Sequence, residues 1–249
     1  MTRAIILAAG QGTRLRPLTN DRPKVMVELE EKSILERQVE LFRNLGITDI
    51  TVVTGYFSES VKCKYPIRII KNEKYQSTNM VYSLFCAKMW LEGDVIISYG
   101  DIIYDRSVLE AVLLNDHDIS VATDLEWEPY YKARFNDAYL DAESLVFDDK
   151  HHIASIGKEG PSRLEVMAQY IGLIKLSSRG SKDFQRILDQ MAINNPLIGW
   201  GRFFRNAYMT DFLQEFVYSG GVISAVPIRR GWYEIDTLQD YNLAVSRLV

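Results

Sequence analysis

The chain has 249 residues, 47% of them hydrophobic and 25% charged, with a formal net charge of −4 at pH 7. That balance belongs to a globular protein with a substantial core, and the slight acidic excess lacks the cationic surplus that a nucleic-acid backbone requires. No apolar run approaches the ~18 residues of a membrane span, and Met1-Thr2-Arg3-Ala4 runs straight into a strand-like segment, so a cytoplasmic protein is expected, with no signal peptide, membrane association or nucleic-acid partner.

Ala4 to Ala9 is a continuous apolar run closed by Gly10, as in a strand buried on both faces. Ser33-Ile34-Leu35-Glu36 is a capping-box pattern, after which Ile34, Leu35, Val39, Leu41, Phe42 and Leu45 recur at helical spacing until Gly46. Strand-like Ile50 to Val53 follows, which gives the βαβ order of a parallel sheet with a right-handed crossover. The alternation continues through a strand at Ile67 to Ile70, a helix from about Asn79 to Leu91 and a strand at Val95 to Ser98. A helix around Arg106 to Leu114 and a strand at Ile119 to Ala122 complete the first half. Beyond Asp124 the segments shorten, and Ser144 to Phe147, Ile153 to Ile156 and Tyr170 to Leu176 read as hairpin-like strands. Helices near Ser181 to Met191 and Tyr208 to Tyr218, an apolar run Val222 to Pro227 and a last helix capped by Thr237 follow. Cys63 and Cys86 stand in no metal-ligand spacing and are read as reduced. His117, His151 and His152 lie among aspartates and make poor zinc ligands.

Gly10-Gln11-Gly12-Thr13-Arg14-Leu15-Arg16-Pro17-Leu18-Thr19 follows the first strand directly, at the sheet edge where open α/β proteins bind ligands. It is neither a dinucleotide fingerprint, since Leu15 replaces the third glycine, nor a P-loop, since it lacks Gly-Lys-Ser/Thr. Its two glycines still let backbone N–H groups approach phosphate oxygens, Thr13 adds a hydroxyl and Arg14 a bidentate fork. Pro23-Lys24 adds a compact charge for a second phosphate. The bland alternative is a glycine turn with solvated basic residues; position and composition together favour a triphosphate cradle that also takes in Leu7, Ala8 and Ala9 at the strand's end.

The run LAAGQGTRLRPLT followed by PK resembles the signature of the sugar-phosphate and choline-phosphate nucleotidylyltransferases. The resemblance implies that Arg14 stabilises departing pyrophosphate and that Lys24 contacts the transferred or the acceptor phosphate. Two acidic segments then bear on a metal. Asp94 to Asp101 is an apolar strand ending in Gly100-Asp101, and Trp232 to Asp236 is a short strand on which Glu234 and Asp236, two apart, share a face. Magnesium takes one or two carboxylates with phosphate oxygens and water. Taken alone, Asp101 and Asp236 read as acids at helix starts; the resemblance implies that they are metal ligands with Mg2+ as the cofactor, and Glu234 reads either as a third ligand or as a structural salt-bridge partner.

In the sugar-phosphate members a Gln-Pro-x-Gly-Leu segment reads the base. Here Asn72-Glu-Lys-Tyr75-Gln-Ser-Thr-Asn79-Met-Val-Tyr82-Ser83-Leu84 stands instead, similar to the phosphocholine cytidylyltransferase branch, as is Tyr233-Glu-Ile-Asp-Thr-Leu-Gln-Asp-Tyr241. CTP is therefore the expected donor, with Tyr75, Ser77, Thr78, Asn79 and Ser83 around the base and Gly100 beside it; Asn79 also fits a helix cap. A choline-like acceptor calls for aromatic rings, which Trp127 and Trp200 could supply. Arg134, Arg202 and Lys158 suit an acceptor phosphate, phosphonate or carboxylate; Lys158, in Gly157-Lys-Glu-Gly-Pro161, resembles the family's Glu-Lys-Pro lysine. Lys24 completes the expected acceptor set. The rings also read as core or interface residues.

The expected fold class is α/β, a Rossmann-like doubly wound mixed sheet with a smaller antiparallel α+β excursion in the second half. One domain over 1–249 is expected, with residues 1–123 binding nucleotide and 124–249 binding acceptor and completing the sheet. The expected activity is Mg-dependent transfer of CMP from CTP to a small phosphorylated or phosphonate acceptor. Rivals are a UTP- or dTTP-using sugar-1-phosphate nucleotidylyltransferase and a non-catalytic nucleotide-sensing subunit. Homo-oligomerisation is left open.

Overall fold

The structure, a computed structural model, describes residues 2–135 and 137–248. Its strands are β1 (Arg3–Ala8), β2 (Glu28–Leu29), β3 (Lys32–Ser33), β4 (Asp49–Thr54), β5 (Arg68–Lys71), β6 (Val95–Tyr99), β7 (Ile102–Tyr104) and β8 (Ile119–Asp124) in the first half. The second half adds β9 (Glu143–Phe147), β10 (Ile153–Glu159), β11 (Gln169–Leu176), β12 (Leu197–Ile198), β13 (Arg202–Phe203), β14 (Ser224–Ile228) and β15 (Trp232–Glu234). The helices are α1 (Ile34–Asn44), α2 (Met80–Cys86), α3 (Arg106–Leu113), α4 (Trp127–Arg134), α5 (Ser178–Asn194), α6 (Met209–Tyr218) and α7 (Leu238–Leu248).

Seven strands form one sheet in the order β14-β8-β11-β6-β1-β4-β5, parallel throughout except for β11. The unbroken apolar runs follow from burial on both faces. Ile5, Leu7, Val53, Ile97 and Val121 meet Leu84 of α2, Phe184 of α5 and Phe212 of α6 on one side. Their alternates Ala4, Ile6, Val52, Ile96 and Ala122 meet Val39 and Phe42 of α1, Leu109 of α3 and Tyr130 of α4 on the other. That is a doubly wound sheet, and α1 begins as expected, with the Ser33 hydroxyl accepting from the Glu36 N–H at 3.1 Å.

Three features of the fold differ from the sequence pattern or are missing from it. β11 belongs to the main sheet, antiparallel between β6 and β8, because Leu173 and Ile174 feed opposite core layers; of the three expected hairpin strands, β9 and β10 pair outside that sheet, and β12 with β13 adds a second short antiparallel ribbon. α2 stops at Cys86 and a 3-10 turn at Lys88–Trp90 replaces its expected last turn. α4 has no clear periodic signal, since Pro129 and bulky rings are weak helix formers, and it is held by packing of Trp127, Tyr130 and Tyr131 into the core.

A two-stranded ribbon decides where the last acids go. β15 pairs antiparallel with β7, Glu234 opposite Ile102, and the Ile235 N–H donates to the Asp101 carbonyl at 2.7 Å. The C-terminal segment thereby lies against the end of β6.

Candidate active site

The loop after β1 is shaped by close approaches. The Gly100 N–H donates to the Leu7 carbonyl at 2.8 Å, and a Cβ on Gly100 would lie 2.8 Å from Ala8 Cβ and from Leu7 O. Gly12 has φ +62° and a Cβ there would come within 3.1 Å of Lys24 Cβ; the Thr19 hydroxyl fixes this turn by donating to the Gly12 carbonyl at 2.7 Å. The result is a cavity of about 840 Å³ at the carboxyl edge of the sheet. Leu7, Ala8, Ala9, Gly10, Gly12 and Thr13 line it, Arg14, Lys24, Gly100, Asp101 and Asp236 form its floor, and Glu234 also belongs to the lining.

Charge concentrates on that floor. Lys24 Nζ donates to Asp101 Oδ2 at 2.9 Å and to Asp236 Oδ1 at 2.5 Å, and the Arg14 guanidinium pairs with Asp236 Oδ2. Burial works against the Lys24 charge, but the two carboxylates outweigh it and hold the ammonium's pKa above its ordinary value. Burial likewise opposes ionisation of Asp236, and Lys24, with Arg14, overrides it and lowers the carboxyl. Glu234 is different: burial, reinforced by Asp101 and Asp236, pushes it up to about 7 despite Arg134. Gln38, absent from the sequence reading, steadies the turn carrying Asp101 by donating from Nε2 to Tyr99 O at 2.8 Å and Ile102 O at 2.6 Å. Its only sequence signal is an amide on the buried stripe of α1.

At the other end Tyr75, Thr78, Asn79 and Ser83 line the cavity. Their organiser is Asn72, fully buried, whose Nδ2 donates to Thr78 Oγ1 at 3.0 Å and Ser83 Oγ at 3.1 Å. Those hydroxyls also donate to Lys74 O and Asn79 O, so they are committed within the protein. Asn79 caps α2 through its oxygen, which accepts from the Met80 N–H at 2.9 Å, and no protein partner engages its amide nitrogen among the described residues. Ser77 lies outside the cavity, its exposed hydroxyl donating to Lys74 O.

Of the expected acceptor set only Lys24 lines the cavity. Trp127 is 4% exposed and packs edge-on against Tyr131 and Tyr139. Trp200 donates its indole N–H to Ile156 O at 2.8 Å. Arg134 pairs with Asp240 and Glu234, Arg202 with Asp211 and Glu159, and Lys158 with Glu165. Each cation already has a carboxylate partner, as buried or half-buried charges must. The cavity wall there consists instead of Asp141, Glu143, Glu159, Gln169, Tyr170 and Thr210. Burial first, then Asp211, pushes Glu143 up to about 7 against a Thr210 hydrogen bond. In all, six carboxylates face the cavity against two cations. Sequence gave no warning of Glu143 or Asp141, which sit in the irregular excursion.

The acids at the floor suit a hard divalent ion. Asp101 Oδ1 is buried with no hydrogen-bond partner, and the positive charge between Asp101 and Asp236 is at present the Lys24 ammonium. A pair of carboxylates completed by phosphate oxygens and water is a usual magnesium set. The three-acid set is not preformed: Glu234 is engaged by Arg134, and among the described residues no three His, Cys, Asp or Glu side chains converge as a metal cage.

A glycine loop, a lysine and paired acids at one edge of a doubly wound sheet define a nucleotide-handling enzyme. The chain belongs to the MobA-like NTP transferase family, whose model matches residues 4–146. It is 35% identical to a CTP:phosphoglutamine cytidylyltransferase of Campylobacter jejuni across 98% of this chain and 99% of that one. A choline-phosphate cytidylyltransferase of Streptococcus pneumoniae is 40% identical over 41% of this chain and 46% of its own. Among solved structures, the CTP:phosphocholine cytidylyltransferase of Streptococcus pneumoniae superposes with a TM-score of 0.73 at 23% identity, covering 100% of this chain and 99% of that one, which establishes the shared fold.

Proposed function

We propose that this chain transfers CMP from CTP to a small phosphorylated acceptor that also carries a cationic nitrogen, releasing pyrophosphate. The observation that carries the reading is the convergence of Arg14, Lys24, Asp101 and Asp236 in one cavity with the glycine loop. Whole-length similarity to a cytidylyltransferase supports the donor, and Asn79 Nδ2, free to donate to a cytosine acceptor, is consistent with it. The acidic wall at Asp141 and Glu143, with Glu159 already paired to Arg202, supports an acceptor bearing an ammonium, as both glutamine and choline do.

An acceptor phosphate is already an anionic nucleophile at neutral pH, so its oxygen attacks the α-phosphorus without a protein base. The new P–O bond forms as the bond to the β-phosphate breaks, and the electron pair leaves with pyrophosphate. Loop amides and Arg14 receive that charge, and Lys24, kept protonated by its carboxylate partners, holds phosphate oxygens in line. A divalent ion bound by Asp101 and Asp236 with the triphosphate would supply further charge neutralisation.

The test is pyrophosphate release with CTP, UTP and dTTP against phosphocholine, phosphoglutamine and glucose 1-phosphate, with mass spectrometry of the product. The expected result is a CDP-linked product, and a kcat/KM for CTP at least about a hundredfold above UTP, the scale of leaving a base-reading group unpaired. Equal use of UTP with glucose 1-phosphate as best acceptor would favour the sugar-phosphate reading. No release with any pair would favour a nucleotide sensor.

A further inference from the structure

Arg134 lies outside the cavity yet touches the segment that carries two of its acids. Its side chain is 2% exposed, and a guanidinium so buried must have its charge answered. Nε donates to Asp240 Oδ1 at 2.8 Å and Nη2 to Asp240 Oδ2 at 3.4 Å, while Nη1 lies 2.7 Å from Glu234 Oε2 as an ion contact without hydrogen-bond alignment. The rings of Tyr130, Tyr131 and Phe135 surround it at 5.3, 5.2 and 4.9 Å. Asp240 in turn accepts from the main-chain N–H groups of Asp236 at 3.2 Å and Thr237 at 2.9 Å, and the Asp240 N–H returns a bond to the Thr237 hydroxyl at 3.1 Å. The Tyr130 hydroxyl accepts from the Glu234 N–H at 2.9 Å.

β15 ends at Glu234, so Asp236 stands beyond the ribbon pairing, and its backbone N–H is held by Asp240. α4 is therefore a brace that grips this segment at Glu234 and at the start of α7. We propose that Arg134 is a positioning residue for the transfer reaction: through Asp240 it fixes Asp236 beside Asp101, and by pairing with Glu234 it keeps that third negative charge engaged. This rests on the cytidylyl-transfer reading, in which Asp101 and Asp236 receive a divalent ion with the triphosphate.

The test is Mn2+ binding in the presence of CTP and no acceptor, followed by electron paramagnetic resonance, for the wild-type chain, Arg134→Met and Arg134→Lys. Loss of a group that orients metal ligands typically weakens metal binding by about 10–100-fold. Arg134→Met should therefore bind Mn2+ at least about tenfold more weakly. The metal concentration for half-maximal turnover should rise by the same factor, with KM for CTP at saturating metal changed less than about threefold. Arg134→Lys, which keeps one ion pair, should recover part of the loss. Mn2+ affinity within about twofold of wild type, or activity lost at saturating metal with affinity intact, overturns the proposal. Should Arg134→Met fail to fold, Asp240→Asn is read in the same way: it keeps an oxygen for the two N–H groups and loses the charge facing Arg134. A wild-type chain that binds Mn2+ but makes no CDP-linked product would sink the functional reading and leave the binding comparison intact.

Discussion

A lysine ammonium buried between two aspartates costs desolvation that only well-placed partners offset. In Lys24, Asp101 and Asp236 that cost is accepted at the cavity floor, the place the proposed function gives to a triphosphate. Asp101→Ala and Asp236→Ala should each remove most turnover while circular dichroism stays native, and near wild-type rates in either would sink the metal assignment. Arg14 is exposed over 67% of its side chain, so its loss should leave the fold intact. On the proposed function its charge meets the leaving group, so Arg14→Ala should lower kcat by roughly a hundredfold; a change confined to KM would show ground-state binding alone.

Glu143 gives a prediction of opposite character. Burial raises its folded-state pKa to about 7 from the ordinary 4.5, so the unfolded chain ionises first. The stabilising contribution of the protonated form is complete below about pH 4 and is lost as pH rises through about 7. Glu143→Gln removes that penalty, so relative to wild type the variant should gain roughly 1–2 kcal/mol between pH 5 and pH 8 in urea unfolding. It should also raise KM for a cationic acceptor. A stability difference independent of pH would show that Glu143 is solvated normally.

At the scale of elements, the site depends on how closely β6 approaches β1. Gly100 allows it, and a methyl there would meet backbone and Ala8 within 2.8 Å, where neither flank yields cheaply. Gly100→Ala should destabilise the fold by about 1–3 kcal/mol, as overpacking does, and displace Asp101 enough to cut kcat/KM at least about tenfold. A variant with wild-type kinetics would show that the strand ends can part without cost. The sequence made this junction partly legible: an apolar strand ending in Gly100-Asp101 puts a carboxylate at the sheet edge near the glycine loop, but Asp101 also read as an acid at a helix start. α4 was not legible: its periodicity is blurred by Pro129 and its aromatic residues, and long-range packing against the sheet and β15 makes it a helix.

In the whole molecule, β11 and β14 come from the second half of the chain and sit in the same sheet as the first-half strands, with β11 between β6 and β8. Neither half can close its core alone. Urea unfolding should therefore show one cooperative transition with coincident far-ultraviolet dichroism and tryptophan fluorescence; two separated transitions would show independent units. The sequence by itself determined the doubly wound class and the loop after β1 with Arg14 and Lys24; Asp101 and Asp236 stood out there only through the family resemblance, and the fold brings all four together. Strand burial and turn geometry are local properties, written in runs of apolar residues and glycine positions. What only the tertiary structure decided was which charges are free to act. Arg134, Arg202 and Lys158 look in sequence like anion binders, but each is paired with a carboxylate, Arg134 with the distant Asp240 and Arg202 and Lys158 with Asp211 and Glu165 across nearby turns, and Asp141 and Glu143 take the cavity wall instead. A side chain's charge is fixed by its residue type, whereas its partner is fixed by three-dimensional proximity, which residue spacing along the chain does not encode.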